Sequence, residues 1–313
     1  VKSIKTSVFY YTHNLISPSI LKFTLESCVN HCRKNSCELI VTSHYPVTNG
    51  FQYANLRDCK SKSQKFDNCI SKNVIVNIDD VNCKAYVLGK MEYSVKTIIK
   101  QLMFSLDKCN GDVIVLMEHD CLYPNNYLST VSKLIENHEL TYCQNNTCFI
   151  TYYGFIKSMP HVYLSSFSFK KETLKKHLEH KLEMFEKYNY SIIEPILNIK
   201  ELENHLVNPD KKDVVEKEIS IGAYNNVCMD EFLGDGNDIL DFVHGLNSSS
   251  ICTTISYIGE LNDPTIKHYK DSFFKDHKVW GNSKQYIDLI DAQRIDEETL
   301  SNLHGGVLIN SKE

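Results

Sequence analysis

The chain has 313 residues and a formal net charge of −5, with 34 Lys and Arg against 39 Asp and Glu, 42% hydrophobic and 23% charged residues. That length and hydrophobic content can bury a full core, which excludes disorder as the default state. The acidic balance excludes a protein whose whole surface grips a polyanion, because that grip comes from Lys and Arg neutralising phosphates.

Twelve cysteines fall well below the ~8–10% density of a disulfide scaffold. Arginine occurs only at positions 33, 57 and 294, so phosphate contacts have to come mostly from lysine point charges, not bidentate forks. An excess of Lys, Asn and Ile with little Arg is what an AT-rich coding sequence gives, and it points to a low-GC microbe or virus. The first residues carry no apolar signal-peptide region, and the longest apolar run, Val113 to Met117, is far short of the ~18 residues of a membrane span. A cytoplasmic chain with free thiols is expected, in which the sequons at Asn145 and Asn247 carry no information.

In chain order, Ser7 to Tyr11 (SVFYY) predicts a first strand ending in polar Thr12, His13 and Asn14. Ser17 and Pro18 start a helix whose Ile20, Leu21, Leu25, Cys28, Val29 and Cys32 keep a 3.6 period. Glu38 to Ser43 predicts a buried parallel strand, which completes a β-α-β unit of nucleotide-binding type. Residues 55–72 carry no period and predict a loop, with a short strand at Val74 to Ile78. A long helix is expected from Tyr86 to Cys109, stopped by Asn110 and Gly111. Asp112 to Met117 (DVIVLM) is the strongest strand signal and runs directly into Glu118, His119 and Asp120. Leu140 to Tyr153 predicts a hairpin turning at Asn145 and Asn146, and Phe169 to Tyr188 an amphipathic helix. Residues 194–220 predict a charged arm. A strand is expected within Gly234 to Ser250, and a tail from Trp280 onward. No internal repeat is present.

Glu118 and Asp120 stand where a buried strand reaches the C-terminal edge of an α/β sheet, the edge at which ligands bind in such folds. Two carboxylates at i and i+2 reach one divalent cation, and oxygen ligands of this kind select Mg²⁺ or Mn²⁺, which complete their shells with water and diphosphate. The bland alternative is an acidic turn capping the strand. Cys28, His31, Cys32 and Cys37 have zinc-ligand chemistry, but Cys28 and Cys32 fall on the apolar face of the first helix, so core packing is the stronger expectation. Cys143 and Cys148 flank the Asn-Asn turn and are expected to be small buried residues.

The segment Gly111 to Pro124 (GDVIVLMEHDCLYP) resembles the metal-binding segment of GT-A glycosyltransferases. More narrowly it is similar to phage and prokaryotic transferases with an EHDxLYP signature. Two further matches follow in the family's order: Tyr10, Tyr11, Thr12, His13 and Asn14 at the first strand end, and Asp241 to Ser248 (DFVHGLNS) in place of a DIRHG-type element. The sequence departs from that element at Val243, where the family has arginine. The resemblance implies an α/β fold with a GT-A, Rossmann-like mixed sheet flanked by helices, in one domain with a C-terminal extension. The nucleotide-sugar half would span residues 1–130, the acceptor half with its helical insertion 131–255, and the extension 256–313.

The activity implied is metal-dependent transfer of a sugar from a UDP-type donor to an acceptor hydroxyl. Asp120 would be the direct metal ligand, Glu118 a ligand or ribose-side contact, and His244 the third ligand for Mn²⁺ or Mg²⁺. Tyr11, Thr12 and Asn14 would face the base or ribose, and Lys90 or Lys96 a phosphate. If the anomeric centre inverts, a carboxylate must deprotonate the acceptor. Asp230 and Glu231 are the first candidates, Asp238 and Asp241 the second, and Glu194 the last.

The acceptor suggested by a viral transferase is double-stranded DNA carrying 5-hydroxymethylcytosine, with glucose or arabinose as the sugar. The stretch Lys170, Lys171, Lys175, Lys176, His177, His180 and Lys181 is its candidate phosphate track. Lipopolysaccharide, polysaccharide or protein acceptors are the alternative. Rivals of other kinds are an inactive nucleotide- or metal-binding interaction module and a nucleotidyltransferase, which would show a glycine-rich phosphate loop that the first strand lacks.

Overall fold

The structure is a computed structural model, which describes residues 5–12, 18–43, 51–54, 71–74, 78, 80–88, 94–150, 155–160, 162–190, 192–197, 214, 217–234 and 239–243. In chain order its elements are β1 (Thr6–Thr12), α1 (Pro18–Asn35), β2 (Glu38–Ser43), β3 (Phe51–Ala54), β4 (Ser71–Val74), β5 (Cys83–Val87), α2 (Val95–Lys108), β6 (Val113–Glu118) and β7 (Cys121–Leu122). There follow α3 (Tyr127–Leu134), β8 (Leu140–Tyr142), β9 (Asn145–Ile150), β10 (Phe155–Pro160), β11 (Phe167–Lys170), α4 (Lys171–Tyr188), β12 (Asn226–Cys228), a four-residue helix α5 (Asp230–Leu233) and β13 (Ile239–Val243).

Seven strands form the main sheet in the order β12-β8-β11-β6-β1-β2-β5. β6, β1, β2 and β5 are parallel, as the β-α-β reading requires, and β11 enters antiparallel between β6 and β8. The parallel strands are apolar at successive positions because both faces are covered. Val8, Tyr10, Leu39, Val41, Val113, Val115 and Met117 point to one face, packed against Leu21, Leu25 and Val29 of α1 and Leu128 and Val131 of α3. Phe9, Tyr11, Ile40, Ile114 and Leu116 point to the other, against Ile99, Leu102 and Leu106 of α2 and Leu174 and Leu178 of α4. The expected mixed α/β sheet flanked by helices is therefore present.

A four-stranded sheet, β10-β9-β13-β7, grows from the end of β6 through β7. A polar knot pins the opposite end of the parallel strands. Glu38 accepts hydrogen bonds from the Ser7 hydroxyl (2.6 Å), the Asn110 amide (2.8 Å) and Lys84 (2.7 Å), and the Ser7 hydroxyl in turn accepts from the Gly111 amide (2.9 Å). Burial works against the Glu38 charge, but these donors hold its carboxyl below the usual range.

Five sequence expectations change here. The third parallel strand is Cys83–Val87, not Val74 to Ile78, and α2 starts at Val95, not at Tyr86. The run Ala85, Tyr86, Val87 is β-forming, and Ser94 caps the helix by accepting from the Thr97 amide. Residues 71 and 72, expected in a loop, belong to β4, which pairs with β3. Phe169 lies in β11, so α4 begins two residues later than expected. The hairpin around Asn145 and Asn146 does not form: β8 pairs with β11 and β12 in the main sheet, while β9 pairs with β10 and β13 in the other. The chain changes sheets at Cys143 and Gln144, so Cys143 and Cys148 do not sit opposite each other. The tail and the 256–313 extension lie outside the described residues, as does most of the 194–220 arm.

Candidate metal and donor site

β6 carries buried apolar side chains up to Met117, and Glu118 is the first residue to leave the core. β1 runs parallel beside it with Tyr11 in register with Glu118, so Tyr11 and Thr12 end at the same sheet edge. The turn through His119 and Asp120 is held from three sides. The Thr24 hydroxyl of α1 donates to the His119 carbonyl (2.6 Å), the Phe242 amide of β13 donates to the Asp120 carbonyl (2.8 Å), and the Glu118 amide donates to the Tyr123 hydroxyl (3.2 Å). The Tyr123 hydroxyl donates onward to the Ser165 carbonyl (3.2 Å). His31 donates from Nε2 to the Tyr123 carbonyl (3.1 Å), which ties α1 to the same turn.

The ligand atoms of Glu118, Asp120 and Cys121 all lie within 4.8 Å of one another. Asp241 joins them from β13, where it pairs with Cys121 across the strands. Cys121 Sγ is 3.6 Å from Asp120 Oδ1, 3.6 Å from Ser165 Oγ and 4.0 Å from Asp241 Oδ1. His119 and Asp120 are both buried, with His119 Nε2 at 4.0 Å from Asp120 Oδ2.

Like charges in a dry place repel, which favours the protonated form of each carboxyl. Burial first, then the Asp120 charge and that of Glu194, push the Glu118 carboxyl up to about 8, against partial relief from Tyr11 and Ser165. Burial, Asp120 and Glu118 push Asp241 well above the carboxylate range. Burial and the three acids raise the Cys121 thiol likewise. Such a cluster is costly to ionise unless a cation sits among its oxygens. The Tyr11 hydroxyl, on a side chain only 4% exposed, faces Glu118 without completing a well-formed hydrogen bond. These residues fit a divalent cation with attached water or phosphate oxygens.

The structure thus brings together Glu118, Asp120, Tyr11 and Thr12 of the expected site. Asn14, Lys90 and His244 lie outside the described residues, His244 directly after the end of β13. Asp230, at the start of α5, accepts from the amides of Gln144 (3.1 Å) and Asn145 (3.1 Å), where the chain changes sheets, and Glu231 is exposed. Glu194 adds to the charge that raises Glu118. Lys96 is paired with Glu186 of α4 at 2.9 Å. Cys28 and Cys32 are core residues and His31 is hydrogen-bonded. Among the described residues the metal-binding geometry falls at Glu118, Asp120 and Cys121, not at that cysteine cluster.

Two members of the centre were underrated in the sequence. Cys121 is not required by the EHDxLYP pattern, and Asp241 enters there as the start of the DIRHG-type element and a second-choice base, not as a partner of the Glu-His-Asp turn. The signal for Asp241 was available: a single carboxylate inside the apolar strand Ile-Leu-Asp-Phe-Val. Of the proposed basic track, His177 and Lys181 are buried, and the exposed positions of α4 alternate Lys175, Lys176 and Lys187 with Glu172, Glu179, Glu183 and Glu186. A cleft of about 750 Å³ lined by Asp112, Glu139, Lys170, Lys176 and Tyr224, among others, opens at the far end of β6 from Glu118.

No family model and no curated protein matches the chain. Solved structures with a similar arrangement include a mannosyltransferase of Pyrobaculum calidifontis in complex with GDP-Man and Mn²⁺ (9% identity, 97% of this chain and 79% of that one, TM-score 0.39). The glycosyltransferase GlyE of Streptococcus pneumoniae is another (9% identity, 96% of this chain and 63% of that one, TM-score 0.40). A third is the galactosyltransferase LgtC in complex with donor and acceptor sugar analogues (7% identity, 95% of this chain and all of that one, TM-score 0.37). Likenesses this distant carry no argument about the reaction.

Proposed function

We propose that the protein is a metal-dependent glycosyltransferase of GT-A type, which moves a sugar from a nucleoside-diphosphate donor to an acceptor hydroxyl. The observation that carries this reading is the convergence of Glu118, Asp120 and Cys121, with Asp241 beside Cys121, at the C-terminal edge of a parallel sheet. Asp120 would be the direct ligand of Mn²⁺ or Mg²⁺, Glu118 a second ligand or the contact to the ribose, and His244 the third ligand, with Asp241 beside Cys121 at the same edge. The bound ion supplies a Lewis acid that neutralises charge on the departing diphosphate. Tyr11 and Thr12, at the end of β1, orient the base and ribose. For an inverting transfer the acceptor-side base would be Asp230 or Glu231, with Asp238, Asp241 and Glu194 as the alternatives.

UDP is the nucleotide we assign, on the resemblance. The experiment is release of UDP from UDP-sugars with Mn²⁺. Asp120→Ala is expected to lower turnover by ~100-fold or more, since a Lewis acid is worth several kcal/mol at ~1.4 kcal/mol per decade. Undiminished turnover in that variant removes the metal assignment. A wild-type protein that binds Mn²⁺ but turns over no nucleotide sugar is instead a binding module. The acceptor we assign on the same resemblance is 5-hydroxymethylcytosine DNA, for which α4 supplies no continuous basic stripe. Transfer of labelled sugar to hydroxymethylated duplex supports it, and transfer only to polysaccharide, lipopolysaccharide or protein overturns it.

A further inference from the structure

The carboxylate centre contains one side chain that a hard-ion site does not need. Cys121 is 3% exposed and opens β7, directly after Asp120, with its sulfur within 4.0 Å of oxygens from both Asp120 and Asp241. Its sulfur and the Glu118 and Asp120 oxygens lie close enough together to serve one ion. The position is fixed by backbone on both sides, through the pairing of Cys121 with Asp241 and the Phe242 amide on the Asp120 carbonyl. A second observation points to a ligand at the same place. The buried Tyr11 hydroxyl lacks a well-formed partner there and senses both Glu118 and Cys121.

Oxygen donors alone suit Mg²⁺ and Mn²⁺, whereas a thiolate beside carboxylates suits Zn²⁺, Cd²⁺ and Co²⁺. We propose that Cys121 gives this centre a second coordination mode, in which its sulfur with Glu118 and Asp120 takes a thiophilic divalent cation in competition with Mn²⁺. The proposal rests on the metal-centre reading above. In the hard-ion mode the thiol keeps its proton and stays outside the coordination shell. In the thiophilic mode the S–H bond breaks, the proton passes to water, and a metal–sulfur bond forms, with no change of oxidation state. Zn²⁺ and Cd²⁺ would then act as site-directed inhibitors of the Mn²⁺-loaded protein.

The test titrates Co²⁺ into the reduced full chain and reads the thiolate-to-cobalt charge-transfer band in the near ultraviolet. Cys121→Ser and Cys121→Ala are titrated in parallel, and free Mn²⁺ is counted by electron paramagnetic resonance. A band in the wild type that is lost in both variants, while each still binds Mn²⁺, is the expected result. Cd²⁺ should displace Mn²⁺ from the wild type at least ~10-fold more readily than from Cys121→Ser, since even outer-shell losses cost a metal site that much. A band unchanged in the variants, or no band in a wild type that binds Mn²⁺, overturns the proposal alone. A Cys121-dependent band in a protein that binds no Mn²⁺ keeps the thiophilic site and removes the Mn²⁺ centre.

Discussion

In the metal-free protein, burial and the Asp120 charge push the Glu118 carboxyl up to about 8, from an ordinary carboxylate value of ~4.3. Between those values the unfolded chain has already released a proton that the folded chain still holds, so stability declines as pH rises through that window and levels off above it. Asp241, raised in the same direction, adds to the decline. A cation that binds the ionised carboxylates reverses the trend. Thermal melts of metal-free protein should show Tm falling from pH 5 to pH 8, and the Tm gain from saturating Mn²⁺ should be larger at pH 8 than at pH 5. A metal-free Tm that rises over this interval contradicts the buried-acid description. At this scale the Glu-His-Asp turn was readable from its place after an apolar strand. The partnership with Asp241 was not, because it depends on the pairing of β13 with β7, two segments separated by more than a hundred residues.

Elements show the same division between local and non-local information. α1 and β6 were legible because periodicity and a terminal cap or breaker act within a few residues. β8 and β9 were not, since the Asn145–Asn146 pair is a good local turn that loses to two separate sheets and to the Asp230 clamp on Gln144 and Asn145. α4 likewise read as an amphipathic helix with Lys181 in an exposed basic track, yet Lys181 and Glu218 form an ion pair whose side chains are fully buried, with Lys181 also over the Tyr190 ring at 5.2 Å. Removing one partner strands the other charge, so Lys181→Met should cost ~3–5 kcal/mol in a denaturant melt. Lys181→Met with Glu218→Leu should recover most of that loss. Gly111 offers a second check. A Cβ there would meet the Ser7 nitrogen at 2.6 Å and the Ser7 hydroxyl oxygen at 2.5 Å, so Gly111→Ala should destabilise by ~1–3 kcal/mol by forcing the Glu38 knot apart.

At the scale of the whole molecule, both faces of one sheet are covered, and the edge where β1 and β6 end is left to chemistry. A nucleotide sugar that engages Tyr11, Thr12 and the metal together should raise Tm more with Mn²⁺ than the separate effects of donor and metal add up to, because each completes the other's site. Additive shifts in a melt series would mean independent sites. The centre is also a record of chain order. Its first ligands are in place once β6 and β7 exist, but Asp241 arrives only with β13, the last described strand, whose amide also secures the Asp120 carbonyl. A chain that stops before residue 239 lacks Asp241 and also Ile239, Leu240 and Phe242, which belong to the apolar core on the α1 face of the sheet. If the proposed centre holds its ion, tight metal binding would therefore depend on a folded β13 and report that the chain has been made through that strand.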